Sequence, residues 1–377
     1  MSTRPTFDPG FSTEELTGVF SAESTVGALL EFEVALVLAL ADAGIAPADE
    51  AAEVAAACRL GVADPEAVLA STWEEGTPII ELVNSVSASV GNENARKWLH
   101  FGATSQDAID TGLMIQAGRG LSTIDTRLCT IARLLRELAM EYRDQPQMGR
   151  TFLQEARPTT FGFRTARWLD EVIGHVDELR RQHNGLQIQL GGPVGTLAAY
   201  GDRGPDVVSS VAERLGLAKP SIAWHTNRTP VMALAQAVER AALTMGRIGS
   251  DVATLASSGI GEVSVRSGAS SSMPEKRNPL DTIRAVAAAQ ACAGAVAMLS
   301  SALGHELDRG VGGWHVEWMA LPLAFQTSGA AMTAIETCLK SLEVDREKMS
   351  ANAGADTPPL SSAQIDRVLA DYDRVIA

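Results

Sequence analysis

Hydrophobic residues along this chain recur at helical rather than alternating spacing. Leu121, Ile124, Leu128, Ile131, Leu135 and Leu138 follow a 3-4-3-4-3 pattern, and Leu169, Val172, Val176 and Leu179 repeat it. Side chains three and four apart share one helix face, so both runs predict long helices that meet along a coiled-coil-like seam. No proline interrupts the chain between Pro279 and Pro322, and 281–306 is rich in alanine. That composition predicts a central helix with close neighbours, on a face of the kind that also packs between subunits. Near the N-terminus, Ser12 with Glu15 reads as a capping box, stapled by Phe11 and Leu16. A helix over about 24–43 ends at Gly44, and an alanine-rich apolar stretch covers about 48–60. Ser361 and Gln364, with Leu360 and Ile365 as the staple, open a closing helix. Its stripe is Ile365, Val368, Leu369, Tyr372, Val375 and Ile376. The pattern predicts an all-α fold built on a bundle of long helices. The expected units are an N-terminal helical domain over 1–108, a central long-helix bundle over 109–350, and a tail with one helix over 351–377.

Composition narrows the function. At 377 residues the chain exceeds one compact core, and a hydrophobic content of 46% excludes wholesale disorder. A formal net charge of −15 without a Lys/Arg block argues against nucleic acid, because phosphate binding needs a basic face. An anionic substrate would then need local cationic and N–H groups. Cys58, Cys129, Cys292 and Cys338 are scattered without CxxC spacing. Neither a metal site nor a disulfide framework is expected, and a reducing compartment fits. No dinucleotide fingerprint is present, so no cofactor is expected. The first residues, MSTRPTFDPGFSTEEL, lack the apolar core of a signal peptide. The richest apolar run, 285–303, is mostly small residues, so no membrane span is expected. A cytoplasmic location follows from these readings.

Four polar, glycine-containing segments lie between the helical runs, where sites are usually found. In His100-Phe101-Gly102-Ala103-Thr104-Ser105-Gln106-Asp107, Thr104, Ser105 and the helix-start amides suit a carboxylate. Ordinary N-capping by Thr104 or Ser105 explains the same residues. In Gly149-Arg150-Thr151-Phe152-Leu153-Gln154, Thr151 and Gln154 face a ligand or simply open a capped helix. Gly191-Gly192-Pro193-Val194-Gly195 reads as a turn, without the lysine of a phosphate loop. The fourth, 268–279, sets Ser270, Ser271, Ser272, Lys276, Arg277 and Asn278 ahead of the alanine-rich helix. Small residues let it close over a ligand, and its cations and amides suit an anion. The chain has only five lysines, and Lys276 is one of them.

The run SSSMPEKRNP resembles the signature loop of the fumarase/aspartase superfamily. HFGATSQDAIDT, GRTFLQEARPTTFG, GGPVGTLAA, WHTNRTPV and DRGVGGWHVEW occur in that family's order, so the resemblance spans about 7–352. Within the superfamily, the GATSQDAIDT and GGWHVEW stretches are most similar to the bacterial cycloisomerases that act on carboxymuconate. The resemblance implies a long central helical bundle with a small N-terminal helical domain and a truncated C-terminal domain, since the relatives continue into a further helical domain. It implies bond making or breaking β to a carboxylate without a cofactor, on a small di- or tricarboxylate. It further implies a homotetramer whose composite active sites draw on three subunits.

By the same resemblance, Ser270 transfers the proton, and loop amides with Lys276 stabilise its alkoxide. Lys276 and Asn278, with Ser271 beside them, hold the activating carboxylate. Thr104 and Ser105 hold another, and Thr151 and Gln154 give a third contact. His100, His225 and Arg228 bind anions, with His100 placed to relay a proton. Arg309 and Trp314 stand behind them, while His175, His183, His305 and His315 read as surface or packing residues. Three departures from the family pattern stand out: Ala269 for the glycine before the serine, Glu275 for the usual His, and Phe152 for the His that follows GRT in many lyases.

Overall fold

A computed structural model of the protein describes residues 10–268, 272–273, 276–354 and 362–376. The predicted seam is realised. Its residues Leu121, Ile124, Leu128, Ile131 and Leu135 are each at most 2% exposed, as are Leu169, Val172, Val176 and Leu179, while Leu138 at its end is half-buried.

The N-terminal part comprises α1 (Glu14–Val19), α2 (Ala22–Asp42), α3 (Ala48–Leu60), α4 (Pro65–Ala70), α5 (Thr72–Glu75), α6 (Ile79–Ser89) and α7 (Glu93–Arg96). Thr13, rather than Ser12, caps α1; its hydroxyl accepts from the Leu16 amide at 3.3 Å. Both hydroxyl residues carry the same capping chemistry, and only the backbone path separates them. Ser21 caps α2, and Gly44 follows it at φ +69°, a left-handed conformation that glycine adopts freely.

Five long helices form the bundle: α8 (Ser105–Glu141), α9 (Phe161–Asn184), α11 (Thr229–Leu255), α12 (Leu280–Ser301) and α13 (Gly313–Lys340), with α10 (Gly204–Leu215) packed on α2. α8 packs on α2, α9 and α13, while α11, α12 and α13 pack mutually. The alanine-rich helix stops at Ser301, five residues before the expected end, at the Gly-containing segment that leads to α13. α14 (Arg346–Ala353) follows, and α15 (Ser362–Val375) lies along α9 with Ile365 fully buried. The expected cap of α15 at Ser361, with its staple residue Leu360, lies outside the described residues.

Among the described residues there are also three two-stranded antiparallel ribbons: β1 (Pro146–Thr151) with β2 (Gln154–Thr160), β3 (Val263–Ser264) with β6 (Glu343–Val344), and β4 (Ser267–Gly268) with β5 (Asn278–Pro279). Helices α2 and α12 are long and apolar enough to cross a membrane by length and composition; 61% and 44% of their apolar windows are buried within this chain. α2 also carries Glu33, which is buried against His100, as suits a core helix rather than one facing lipid.

Candidate active site

Two of the four polar segments, together with His225, converge on one side chain. Asp107, in the first turn of α8, is fully buried and accepts five hydrogen bonds. Its Oδ2 accepts from the Thr104 amide at 3.0 Å and the Gly192 amide at 2.8 Å. Its Oδ1 accepts from the Gly191 amide at 3.1 Å, Gln189 Nε2 at 3.2 Å and His225 Nε2 at 2.8 Å. The N-cap explanation of Thr104 therefore holds for its backbone, and the positive end of α8 is already met by Asp107. The turn at 191–195 has a structural task, which is to aim two amides at this carboxylate. Gly192 permits it at φ +73°, where a Cβ would stand 2.8 Å from the Gly102 carbonyl oxygen.

With Oδ1 already taking a backbone N–H, His225 Nε2 is the donor, and in the neutral ring the lone pair then sits on Nδ1. That nitrogen faces Gly195, where a Cβ would lie 3.9 Å away. His100 is placed by a second carboxylate. Glu33 of α2, 1% exposed, accepts from the His100 amide at 3.0 Å and pairs with Nδ1 at 2.6 Å. His100 sits at φ +55°, a conformation costly for a residue with a Cβ, and these two bonds hold it there. Burial pushes its pKa down, but the charge and hydrogen bond of Glu33, with Asp107 beyond, outweigh burial and raise it. The Glu33 contact occupies Nδ1 and favours the charged form of the ring. Arg309 bonds Thr104 Oγ1 through NH2 at 2.8 Å and reaches the Pro193 carbonyl at 3.4 Å. Ser105 is half-buried beside it.

Arg228, expected to bind a ligand anion, is instead committed inside the protein. Its Nε and NH2 meet Glu317 at 2.9 and 2.5 Å, and NH1 and NH2 meet Asp110 at 2.8 and 2.9 Å. NH1 also reaches the Trp224 and His225 carbonyls at 3.5 Å. A guanidinium has five N–H donors, and all are used. Trp314 supports the same cluster by donating from Nε1 to Asp110 at 2.9 Å.

The other candidates lie elsewhere. Thr151 and Gln154 are register partners at the tip of the β1–β2 hairpin, not at a helix start. Between them Phe152 and Leu153 adopt φ +52° and +62°, and they are 100% and 75% exposed. The base of the hairpin is tied by Glu262, which accepts from Gln147 at 2.9 Å, Arg150 at 2.6 Å and Asn352 at 3.0 Å. Lys276 is exposed, and Asn278 pairs with Gly268 where β4 and β5 close the signature loop. Ser270 and Ser271 lie outside the described residues, as do Ala269 and Glu275. Hairpin and signature loop follow the C-terminal ends of α8 and α11, whereas Thr104 and Arg228 precede their N-terminal ends. α8 has 37 residues and so spans roughly 55 Å, and the two groups of candidates are held apart by that length.

Glu33, Asp107, Asp110 and Glu317 escaped the sequence reading. Glu33 left a signal, a carboxylate inside the apolar run Leu29–Leu40. Among the described residues no three His, Cys, Asp or Glu side chains group as a metal site. A cavity of about 1070 Å³ between α2, α3 and α8 is lined by residues such as Leu30, Val34, Met114 and His183; it contains none of the candidate residues.

With this geometry in view, a family model described as a lyase matches residues 10–293. The chain is 38% identical to a 3-carboxy-cis,cis-muconate cycloisomerase of Pseudomonas aeruginosa, over 92% of this chain and 77% of that one. It is 35% identical to a nitrosuccinate lyase of Streptomyces davaonensis, over 91% and 76%. A 3-carboxy-cis,cis-muconate lactonizing enzyme of Pseudomonas putida superposes with a TM-score of 0.87 at 33% identity, over 93% and 79% of the two chains.

Proposed function

Because the chain belongs to the lyase family of the fumarase/aspartase superfamily, we propose that it closes 3-carboxy-cis,cis-muconate to a carboxymuconolactone. The observation that carries this reading is the 38% identity with the Pseudomonas aeruginosa cycloisomerase across 92% of the chain. In the reaction a carboxylate oxygen of the substrate adds to a ring-forming double bond. The electron pair moves onto the neighbouring carboxylate as an aci-carboxylate, and one proton is then delivered to the adjacent carbon. Nothing else enters or leaves, so the site must bind three carboxylates, stabilise the aci-carboxylate and supply that proton.

Ser270 delivers the proton in this scheme, with Lys276 and Asn278 on the activating carboxylate and Ser271 beside them. Thr104 and Ser105 hold a second carboxylate beside His100, whose charged form Glu33 favours, and Arg309 takes the anion-binding part first expected of Arg228. His225, fixed by Asp107, keeps a free ring nitrogen for proton relay. Thr151 and Gln154 contribute from the hairpin tip. Separation of these groups along α8 supports a homotetramer with composite sites, and the half-exposed apolar helix α12 supplies a face for assembly. We also propose the division into units at about residues 108 and 350, and a cytoplasmic location.

The relative named nitrosuccinate lyase, at 35% identity, favours a second reading, C–N β-elimination from a succinyl compound. Loss of ultraviolet absorbance with 3-carboxymuconate, measured beside nitrosuccinate and other succinyl adducts, separates the two. Turnover of the muconate supports the cycloisomerase. Elimination from a succinyl adduct with no muconate turnover overturns it.

A further inference from the structure

His305 belongs to none of the groups above. It lies in the segment between α12 and α13, read from sequence as a surface or packing residue. Its side chain is 0% exposed, and neither ring nitrogen has a hydrogen-bond partner. Backbone closes around the ring: a Cβ at Gly310 would come 2.7 Å from its Cγ, and one at Gly313 would come 2.8 Å from its Nε2. That Nε2 stands 3.9 Å from Oε1 of Glu317. A polar ring is rarely buried without a partner, and here it is seated against a carboxylate.

The cluster it adjoins has a charge imbalance. Asp110, Glu317 and Arg228 are all at most 3% exposed. Two carboxylates share one guanidinium, and the donors from Trp314 and Gln106 bring hydrogen bonds but no charge. One negative charge is left over in a water-poor setting, where an unpaired charge is costly. The charged groups near the ring are Glu317 on α13, with Arg228 before α11 and Asp110 on α8 behind it, and Glu306 and Arg309 on its own segment. Arg309 is engaged with Thr104 at 2.8 Å, while Glu306, at the exposed surface, accepts from the Val311 amide at 2.9 Å and also interacts electrostatically with His305.

We propose that His305 and Glu317 hold one proton between them, that this proton neutralises the buried cluster, and that His305 is thereby a positioning residue for Arg228. Burial raises the Glu317 carboxyl above its ordinary range even with Arg228 beside it, which is the direction this requires. Arg228 in turn reaches the Trp224 and His225 carbonyls and so fixes the segment that carries the His225 ring. When the proton leaves at high pH, the surplus charge loosens Arg228 and the ring behind it. The proposal concerns the cluster, whichever substrate the site takes.

Two measurements test it. Infrared pH-difference spectra of the intact wild-type protein should show a protonated-carboxyl or imidazolium band titrating, and the band should shift or vanish in both Glu317→Gln and His305→Leu. No titrating band of either kind that responds to both substitutions would overturn the shared proton; this arm needs no substrate. For kinetics, with 3-carboxymuconate under the reading above, His305→Leu should move the alkaline limb of kcat/KM at least one pH unit lower. In a Glu317→Gln background, where no surplus charge exists, the same substitution should not move it. An equal shift in both backgrounds, or none in either, overturns the positioning role. Should His305→Leu fail to fold, the wild-type and Glu317→Gln spectra still decide whether Glu317 and a histidine share the proton.

Discussion

Nε2 of His225 lies 2.8 Å from Oδ1 of Asp107, and four further donors hold that carboxylate in place. The pair joins a residue at the start of α8 to one just before α11, 118 positions away in sequence. Asp107 therefore sets the tautomer of the ring and the shape of the turn beside it. Asp107→Asn would turn one acceptor oxygen into a donor that faces donors. Turnover should fall about 10²-fold or more through the misplaced His225 nitrogen, and the melting temperature should fall with it. His225→Asn should lose comparable turnover with little loss of melting temperature. Equal thermal losses in the two variants would remove the catalytic part of the argument.

Arg228 should behave as a structural residue. Arg228→Met leaves Asp110 and Glu317 buried without their cation, which costs about 3–5 kcal/mol for a broken buried pair. Urea unfolding should show that loss, and a ligand-binding role alone would raise KM and spare stability. Arg309→Met should give the opposite pattern, a raised KM with near-normal stability, since among the described residues its guanidinium bonds only Thr104 and a carbonyl.

His100 makes stability depend on pH. Its folded pKa is raised above the unfolded value by Glu33, despite burial. The stability it contributes is therefore complete below the unfolded value of about 6.5 and lost as pH rises through the folded pKa. The stability difference between wild type and His100→Asn should be largest near pH 5.5 and shrink steadily above pH 6.5. Urea midpoints measured across that range check the sign, and a difference that grows with pH would contradict it.

Much of the fold was legible because helix spacing and burial report the same face. The seam from Leu121 to Leu135 needed nothing beyond periodicity. GRTFLQ was misread as a helix start because Thr151 and Gln154 have the right types for a cap. What decides for a hairpin is tertiary: Glu262, over a hundred residues later, fastens Gln147 and Arg150. Arg228 was misread for a similar reason. The family resemblance implied an anion binder there, and only the folded chain reveals the two carboxylates already on it. Glu33 and Glu317 went unnoticed because each lies inside an apolar helix run with no partner nearby in sequence. In the site, residue types were readable and their pairings were not.

Phe152 and Leu153 offer a test of the hairpin. Two residues with side chains in left-handed backbone cost about 1–2 kcal/mol each relative to ordinary conformations. Phe152→Gly should therefore leave melting temperature unchanged or raise it. Under the proposed assembly the apolar tip meets another copy of the chain, and turnover should fall. A glycine tip with full activity would show that the exposed Phe152 ring serves no purpose in catalysis.

Complementation tests the shared site directly. Ser270→Ala and His225→Asn should each lose most activity alone, by about 10²–10⁴-fold for a lost acid or base. Mixing the two, unfolding and refolding together, should restore a substantial part, since some sites then collect an intact residue from each. No recovery in mixed tetramers verified by mass would rule out contributions from different copies.

The length of α8 also turns concentration into a control. A helix of 37 residues is a rigid spacer, and no bending of one chain brings Thr104 to Asn278. Under the proposed composite site, a lone copy carries every required group and performs no turnover. Activity per chain should rise with protein concentration until assembly is complete, then stay level. Dilution would silence the enzyme by mass action while leaving each bundle folded.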